Sequence, residues 1–280
     1  MTNSVRQNVI ELILEITKQG NAFDLLEQAL AKMDKETLGA SLLKCGIIPE
    51  RFDHDSSEEK LWAKYCDILL AKSWTALNIP AEVLRARGDS ADVFGRTDAY
   101  TIVGDAKAFR LSRTAKNQKD FKIQALDDWR KSNTYALLVS PLFQYPNRQS
   151  QIYQQAIERN VTLLSYVHFR FLLIYFDGQD LSALWRIGEK LAPSKTDWDT
   201  IDDTVCQIIE MDIEALSKFK LQAIEETRKI GEEGINYWQS RIEAYQQLSQ
   251  EEAVARLVKA EKIEARINTI KRAMQISLEV

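Results

Sequence analysis

Three residues stand out for their types and spacing: Asp92, Asp105 and Lys107. Asp105-Ala106-Lys107 closes an apolar run from Ala99 to Gly104, and Asp92 sits in a shorter apolar run just upstream. Strand residues alternate faces with a period of two, so Asp105 and Lys107 emerge on one side of a strand. With Asp92 at the end of a neighbouring strand, two carboxylates and an ammonium meet at one sheet edge. That is the minimum equipment for metal-dependent hydrolysis of a phosphodiester. Carboxylates hold Mg²⁺, the ion polarises phosphate and acidifies water, and a lysine positions the attacking water.

The elements that must position these residues are legible around them. Val5, Val9, Leu12, Ile13 and Ile16 follow helical spacing up to Gly20, a second helix covers Phe23 to Lys32, and a third runs from Asp34 as N-cap to Gly46. Ser56 with Glu59 is a capping-box pattern, with Glu59 as the cap, at the head of a long helix ended by Pro80. Strands are expected over Ala91 to Phe94, Ala99 to Lys107, Tyr135 to Val139 and Val161 to Tyr166. Helices over Asn117 to Arg130 and Asn147 to Arg159 lie among them. Short apolar strands alternating with helices indicate an α/β core with a mixed sheet. Beyond Val167 the pattern is helical: Trp198 to Ile230, Ile235 to Gln247 after the glycines Gly231 and Gly234, and a last helix capped by Ser249. His168, inside the apolar segment VHFRFLLIYF, reads as structural. One domain over residues 1–280 is expected, with a helical region over 1–80, a sheet core over 81–166 and a second helical region over 167–280.

A basic ladder follows the carboxylates. Lys107, Arg110, Arg113, Lys116, Lys119 and Lys122 recur every third residue, with Asp120 the only acid among them. Asn117 lies in the same segment and is of a type that reads adenine edges. Cations beside a carboxylate cluster suit a polyanion that must approach a metal ion.

Composition narrows the class. The 280 residues are 45% hydrophobic and 28% charged, with a net charge of -4, which argues against a generally sticky polyanion binder but not against a local basic groove. Cys45, Cys66 and Cys206 are odd in number and lack zinc spacing, so a reducing cytoplasm is expected. His54 and His168 have no matching neighbours for a His-based metal site or a Ser-His-Asp triad. No signal-peptide pattern and no membrane-length apolar run is present.

The run DAKAFRLSRTAKNQKDFK from Asp105 to Lys122 closely resembles the corresponding stretch of HindIII-type restriction endonucleases. FQYP at Phe143 to Pro146, SQIYQQ after it and EKLWAK at Glu59 to Lys64 are similar too. The resemblance covers most of the chain, is densest from Gly88 to Tyr166 and thins in the C-terminal third. It implies a PD-(D/E)xK nuclease core: α/β with a mixed central sheet, flanked by N-terminal and C-terminal helical regions. It also implies a homodimer, Mg²⁺ (with Mn²⁺ as a substitute) and cleavage of double-stranded DNA. A cognate DNA methyltransferase in the host belongs to the same expectation. Carried over by residue, the family's first acid falls on Asp92, its D-x-K on Asp105 and Lys107, and a further acid on Asp120. Asp92, Asp105 and the Ala106 carbonyl are the implied metal ligands. Arg110, Arg113, Lys116, Asn117, Lys119 and Lys122 are the implied DNA contacts. The motif's proline is replaced by Ala91, and Arg85 stands where the family can carry an acid. The implied target is AAGCTT, cut between the adenines to leave 5′-phosphates. A repair nuclease or junction resolvase on the same core, or a non-catalytic DNA-binding protein, are the alternatives.

Overall fold

The computed structural model describes residues 5–85, 91–113, 118–146, 150–190 and 198–276. Four helices come first: α1 Val5–Ile16, α2 Ala22–Ala31, α3 Lys35–Cys45 and α4 Ser57–Ala76. Asp34 caps α3 by accepting the Thr37 N–H at 2.7 Å, and Ser56 caps α4 by accepting the Glu59 N–H at 3.1 Å. The Glu59 carboxylate does not close the box on Ser56. It accepts from the Asp55 N–H at 2.6 Å and from Arg110 Nε at 3.2 Å. α4 buries Trp62, Tyr65, Leu69 and Trp74 and packs on the sheet.

The sheet has five strands in the order β1-β2-β3-β4-β5: Ala81–Val83, Val93–Arg96, Thr101–Ala106, Tyr135–Ser140 and Val161–Ser165. β1, β2 and β3 pair antiparallel, whereas β3, β4 and β5 pair parallel, so the sheet is mixed and the fold is α/β as expected. Parallel neighbours need crossovers. Here α5 Gln118–Phe121 and α6 Ile123–Arg130 join β3 to β4, and α7 Gln151–Glu158 joins β4 to β5. Alternate β4 residues serve two cores, Leu137 and Val139 on the α4 side and Ala136 and Leu138 on the α6–α7 side. The expected single helix over 117–130 is two, because Lys122 adopts φ 49° between them. β1 is too short to leave a mark in the sequence.

The remaining helices are α8 Tyr166–Tyr175, α9 Ser182–Trp185, α10 Trp198–Ile209, α11 Ile213–Gln246, α12 Gln250–Ala260 and α13 Ile263–Ile276. Two boundaries differ from the sequence expectation. α11 runs unbroken through Gly231 and Gly234, while the break falls earlier, at Glu210 with φ 55°. Each interior glycine costs about 1 kcal/mol relative to alanine, too little to interrupt a helix this long. The last helix is two, parted at Lys262 with φ 53°. His168 is structural: its Nδ1 accepts the Ser165 N–H at the start of α8 at 3.0 Å, and its Nε2 donates to Asp202 at 2.9 Å. The chain forms two compact units, 1–232 and 233–280. Among the described residues, no helix is long and apolar enough to cross a membrane.

Candidate metal centre

Register brings the first two carboxylates together. β2 and β3 pair Val93 with Gly104, so one step further along the ladder sets Asp92 opposite Asp105. The Asp92 carbonyl accepts the Leu84 N–H at 2.8 Å, which ties its backbone to the chain leaving β1. Lys107 extends β3 by donating its N–H to the Val139 carbonyl at 2.7 Å, and its own carbonyl accepts the Tyr166 hydroxyl at 2.9 Å. Held on both sides, Lys107 turns its ammonium onto the Asp105 carboxylate, as the period of two requires. Ala106, the last residue of β3, lies between them with its methyl buried.

A third carboxylate, which the sequence patterns did not single out, comes from α4. Asp67 is only 3% exposed, and one oxygen from each of Asp67, Asp92 and Asp105 lies within 4.8 Å of the others. Glycines in the sheet allow this approach. A Cβ on Gly104 would stand 2.7 Å from Trp74 Cη2 and 3.0 Å from Leu70 Cδ2, and one on Gly95 would stand 3.1 Å from Trp74 Cε3. Without side chains there, α4 settles against β2 and β3. Asp67, seven residues and about two turns before Trp74, then reaches the strand ends. One signal in the sequence pointed to it: an acid inside the buried run Tyr65-Cys66-Asp67-Ile68-Leu69 has to find a partner.

Lys64, one turn before Asp67, bridges Asp67 at 3.0 Å and Asp92 at 2.6 Å. Three carboxylates therefore face two ammonium groups, leaving one negative charge over. Burial, then the charges of Asp92 and Asp105, push the Asp67 carboxyl well above the usual carboxylate range, and Lys64 only partly opposes them. Burial works against both ammoniums. Even so, Asp67 and Asp92 hold Lys64 above its ordinary value, and Asp105, Asp92 and Asp67 do the same for Lys107. Acids crowded this closely strain against one another in the absence of a further cation, and oxygen donors so grouped suit a hard divalent ion. The residues fit Mg²⁺.

Other candidate residues are placed differently. Asp120 is not part of the cluster and pairs with Arg113 at 2.5 Å. Arg110 is largely buried, bonded to Glu59 and to the Pro49 carbonyl at 3.3 Å. Ser112 binds Glu50 through its N–H at 3.1 Å and its hydroxyl at 2.7 Å. At the start of the basic ladder Lys107 is thus paired to Asp105, Arg110 to Glu59 of the N-terminal helical region and Arg113 to Asp120. Lys122 is exposed. Lys116 and Asn117 lie outside the described residues, as does the side chain of Lys119. Arg85 pairs with Asp24 and Glu27 at 2.6 and 2.7 Å, so the third acid of the cluster comes from α4 and not from that position.

Comparison with known proteins identifies the family of the chain. The family model of the HindIII restriction endonuclease matches residues 4–274. The type II restriction enzyme HindIII of Haemophilus influenzae is 33% identical over 289 aligned positions, covering 96% of this chain and 95% of that enzyme. A slighter likeness, with a TM-score of 0.27 and 10% identity, links 78% of the chain to 98% of the small subunit of the heterodimeric restriction endonuclease R.BspD6I. A mixed sheet with flanking helices and a carboxylate–lysine cluster at its strand ends is the core expected of PD-(D/E)xK nucleases. By the family match over nearly its whole length, the chain belongs to the HindIII restriction endonuclease family.

Proposed function

We propose that this protein is a Mg²⁺-dependent type II restriction endonuclease that hydrolyses double-stranded DNA at a short palindrome, with AAGCTT cut between the adenines as its site. The observation that carries the chemistry is the carboxylate trio of buried Asp67, buried Asp105 and partly exposed Asp92, with Lys107 paired to Asp105. The site sequence, and Mn²⁺ as a substitute ion, rest on the family resemblance. Asp67, Asp92 and Asp105, with the Ala106 carbonyl, would hold the ion. When bound, it supplies positive charge for the phosphate oxygens and lowers the pKa of water. Lys107 Nζ orients the attacking water and steadies charge building on the phosphate. Its backbone anchors on Val139 and Tyr166 fix where that ammonium points. Hydrolysis proceeds in line and leaves a 5′-phosphate.

A palindrome offers the same half-site twice, which suits two copies of one chain, and we read the working form as a homodimer. Ile235, Trp238, Ile242 and Tyr245 of α11 are exposed at alternating intervals of three and four, the spacing of a helix seam that favours self-association. Asp120 steadies Arg113 in the segment that approaches DNA. Lys116, Asn117, Lys119 and Lys122 supply the DNA contacts, joined by Arg110 and Arg113 if they exchange their acid partners for phosphate. A cognate methyltransferase protects the host DNA, and the enzyme works in the cytoplasm.

Plasmid digestion with and without Mg²⁺, followed by sequencing of the ends, tests this. Discrete bands ending at AAGCTT, lost in Asp105→Asn and Lys107→Ala, are expected. Structure-dependent nicking would indicate a repair nuclease or resolvase, and binding without cleavage a non-catalytic protein.

A further inference from the structure

Lys64 has a place in the cluster that neither α4 packing nor hydrolysis requires. Trp62, Tyr65, Leu69 and Trp74 already dock α4 in the core. The water-orienting lysine is Lys107, paired to Asp105 alone. Lys64 instead spans two other carboxylates, with Nζ 2.6 Å from Asp92 Oδ1 and 3.0 Å from Asp67 Oδ2. Its side chain is 35% exposed, so solvent is an open alternative, and fixing so long a side chain forfeits rotamer freedom. The repulsion among the carboxylates is what outweighs that cost. A divalent cation ligated by Asp67 and Asp92 would need the space between the same oxygens. Two cations cannot share it.

We infer that Lys64 is a resident counter-ion: its ammonium fills the gap between Asp67 and Asp92 in the metal-free protein and leaves that gap when a divalent ion enters. This rests on reading Asp67, Asp92 and Asp105 as the metal ligands. Lys64 thus keeps the ligands gathered before loading and sets how tightly the ion is held, because each ion bound must displace two charge-assisted contacts. Its half-exposed stem allows the ammonium to swing to solvent without moving α4.

The test is Mn²⁺ titration of the full chain, followed by the electron paramagnetic resonance signal of the free ion, with melting curves taken without metal. Lys64→Met should bind Mn²⁺ about tenfold or more tightly than wild type, the scale of one charge-assisted contact, and should melt lower without metal. Lys64→Arg, which keeps the charge, should stay near wild-type affinity. Should the Met variant unfold, Lys64→Gln takes its place, since its amide is polar but uncharged and its side chain one bond shorter than that of lysine. Unchanged or weaker Mn²⁺ binding by a folded, charge-free variant overturns the inference. Absence of Mn²⁺ binding by wild type, or undiminished binding by Asp105→Asn, overturns the carboxylate reading itself and the counter-ion role with it.

Discussion

Asp67→Asn separates the ligand role of this residue from any role in stability, because the two pull in opposite directions. With carboxylate oxygens up to 4.8 Å apart, each like-charge pair costs about 3.5 kcal/mol at an effective dielectric constant near 20, so Asp67 carries roughly 7 kcal/mol of repulsion from Asp92 and Asp105. Lys64 at 3.0 Å returns about 5–6 kcal/mol on the same scale. Lys64 thus leaves roughly 1–2 kcal/mol of the repulsion unanswered; burial adds to that deficit and Lys107 offsets part of it. Asparagine keeps the shape and an oxygen for Lys64 while removing the repulsion. The metal-free variant should therefore melt higher than wild type, by roughly 2–8 °C for a chain of this size. Cleavage in Mg²⁺ should fall by about 10²-fold or more, the scale of losing one preorganised electrostatic contact in a transition state. Differential scanning fluorimetry in chelator and single-turnover cleavage of an oligonucleotide measure the two effects. A variant that melts lower without metal and cleaves within a few-fold of wild type would refute the reasoning, since Asp67 would then be an anchor for Lys64 and nothing more.

Three further outcomes follow from the packing. Gly104→Ala places a Cβ 2.7 Å from Trp74 Cη2. It should cost about 1–3 kcal/mol of stability and depress cleavage by pushing α4, and with it Asp67, off the strand ends; melting and cleavage assays on one preparation check this. Arg110→Ala should lower the melting temperature more than DNA affinity, because Arg110 is buried against Glu59 and the Pro49 carbonyl; gel shifts beside melts decide it. Burial holds the His168 imidazole below its ordinary value, despite the opposing pull of Asp202. Its neutral form contributes stability that is fully present above the unfolded value of 6.5 and lost as pH falls through the folded one, by up to about 1.4 kcal/mol per pH unit. Melts from pH 7.5 to 5 should show that slope, and His168→Gln should flatten it.

The sequence by itself determined what depends on neighbours along the chain. Asp105 and Lys107 share a face because strand residues alternate, and they pair in the structure on that face. The caps at Asp34 and Ser56 are likewise local, since a side chain reaching three residues ahead needs no tertiary partner. The resemblance in Asp105 to Lys122 carried the family. What the sequence left open was settled by segments distant in the chain. Asp67 joins Asp92 and Asp105 only because Gly95 and Gly104 let Trp74 bring α4 against the sheet, a contact that no periodicity encodes. The ladder of cations read as a groove, yet Arg110 and Arg113 meet Glu59 and Asp120, and Ser112 between them holds Glu50. Two of those acids lie more than fifty residues upstream of the groups they hold. Charge runs are written in one dimension, and their neutralisation is decided by which surfaces the fold brings face to face.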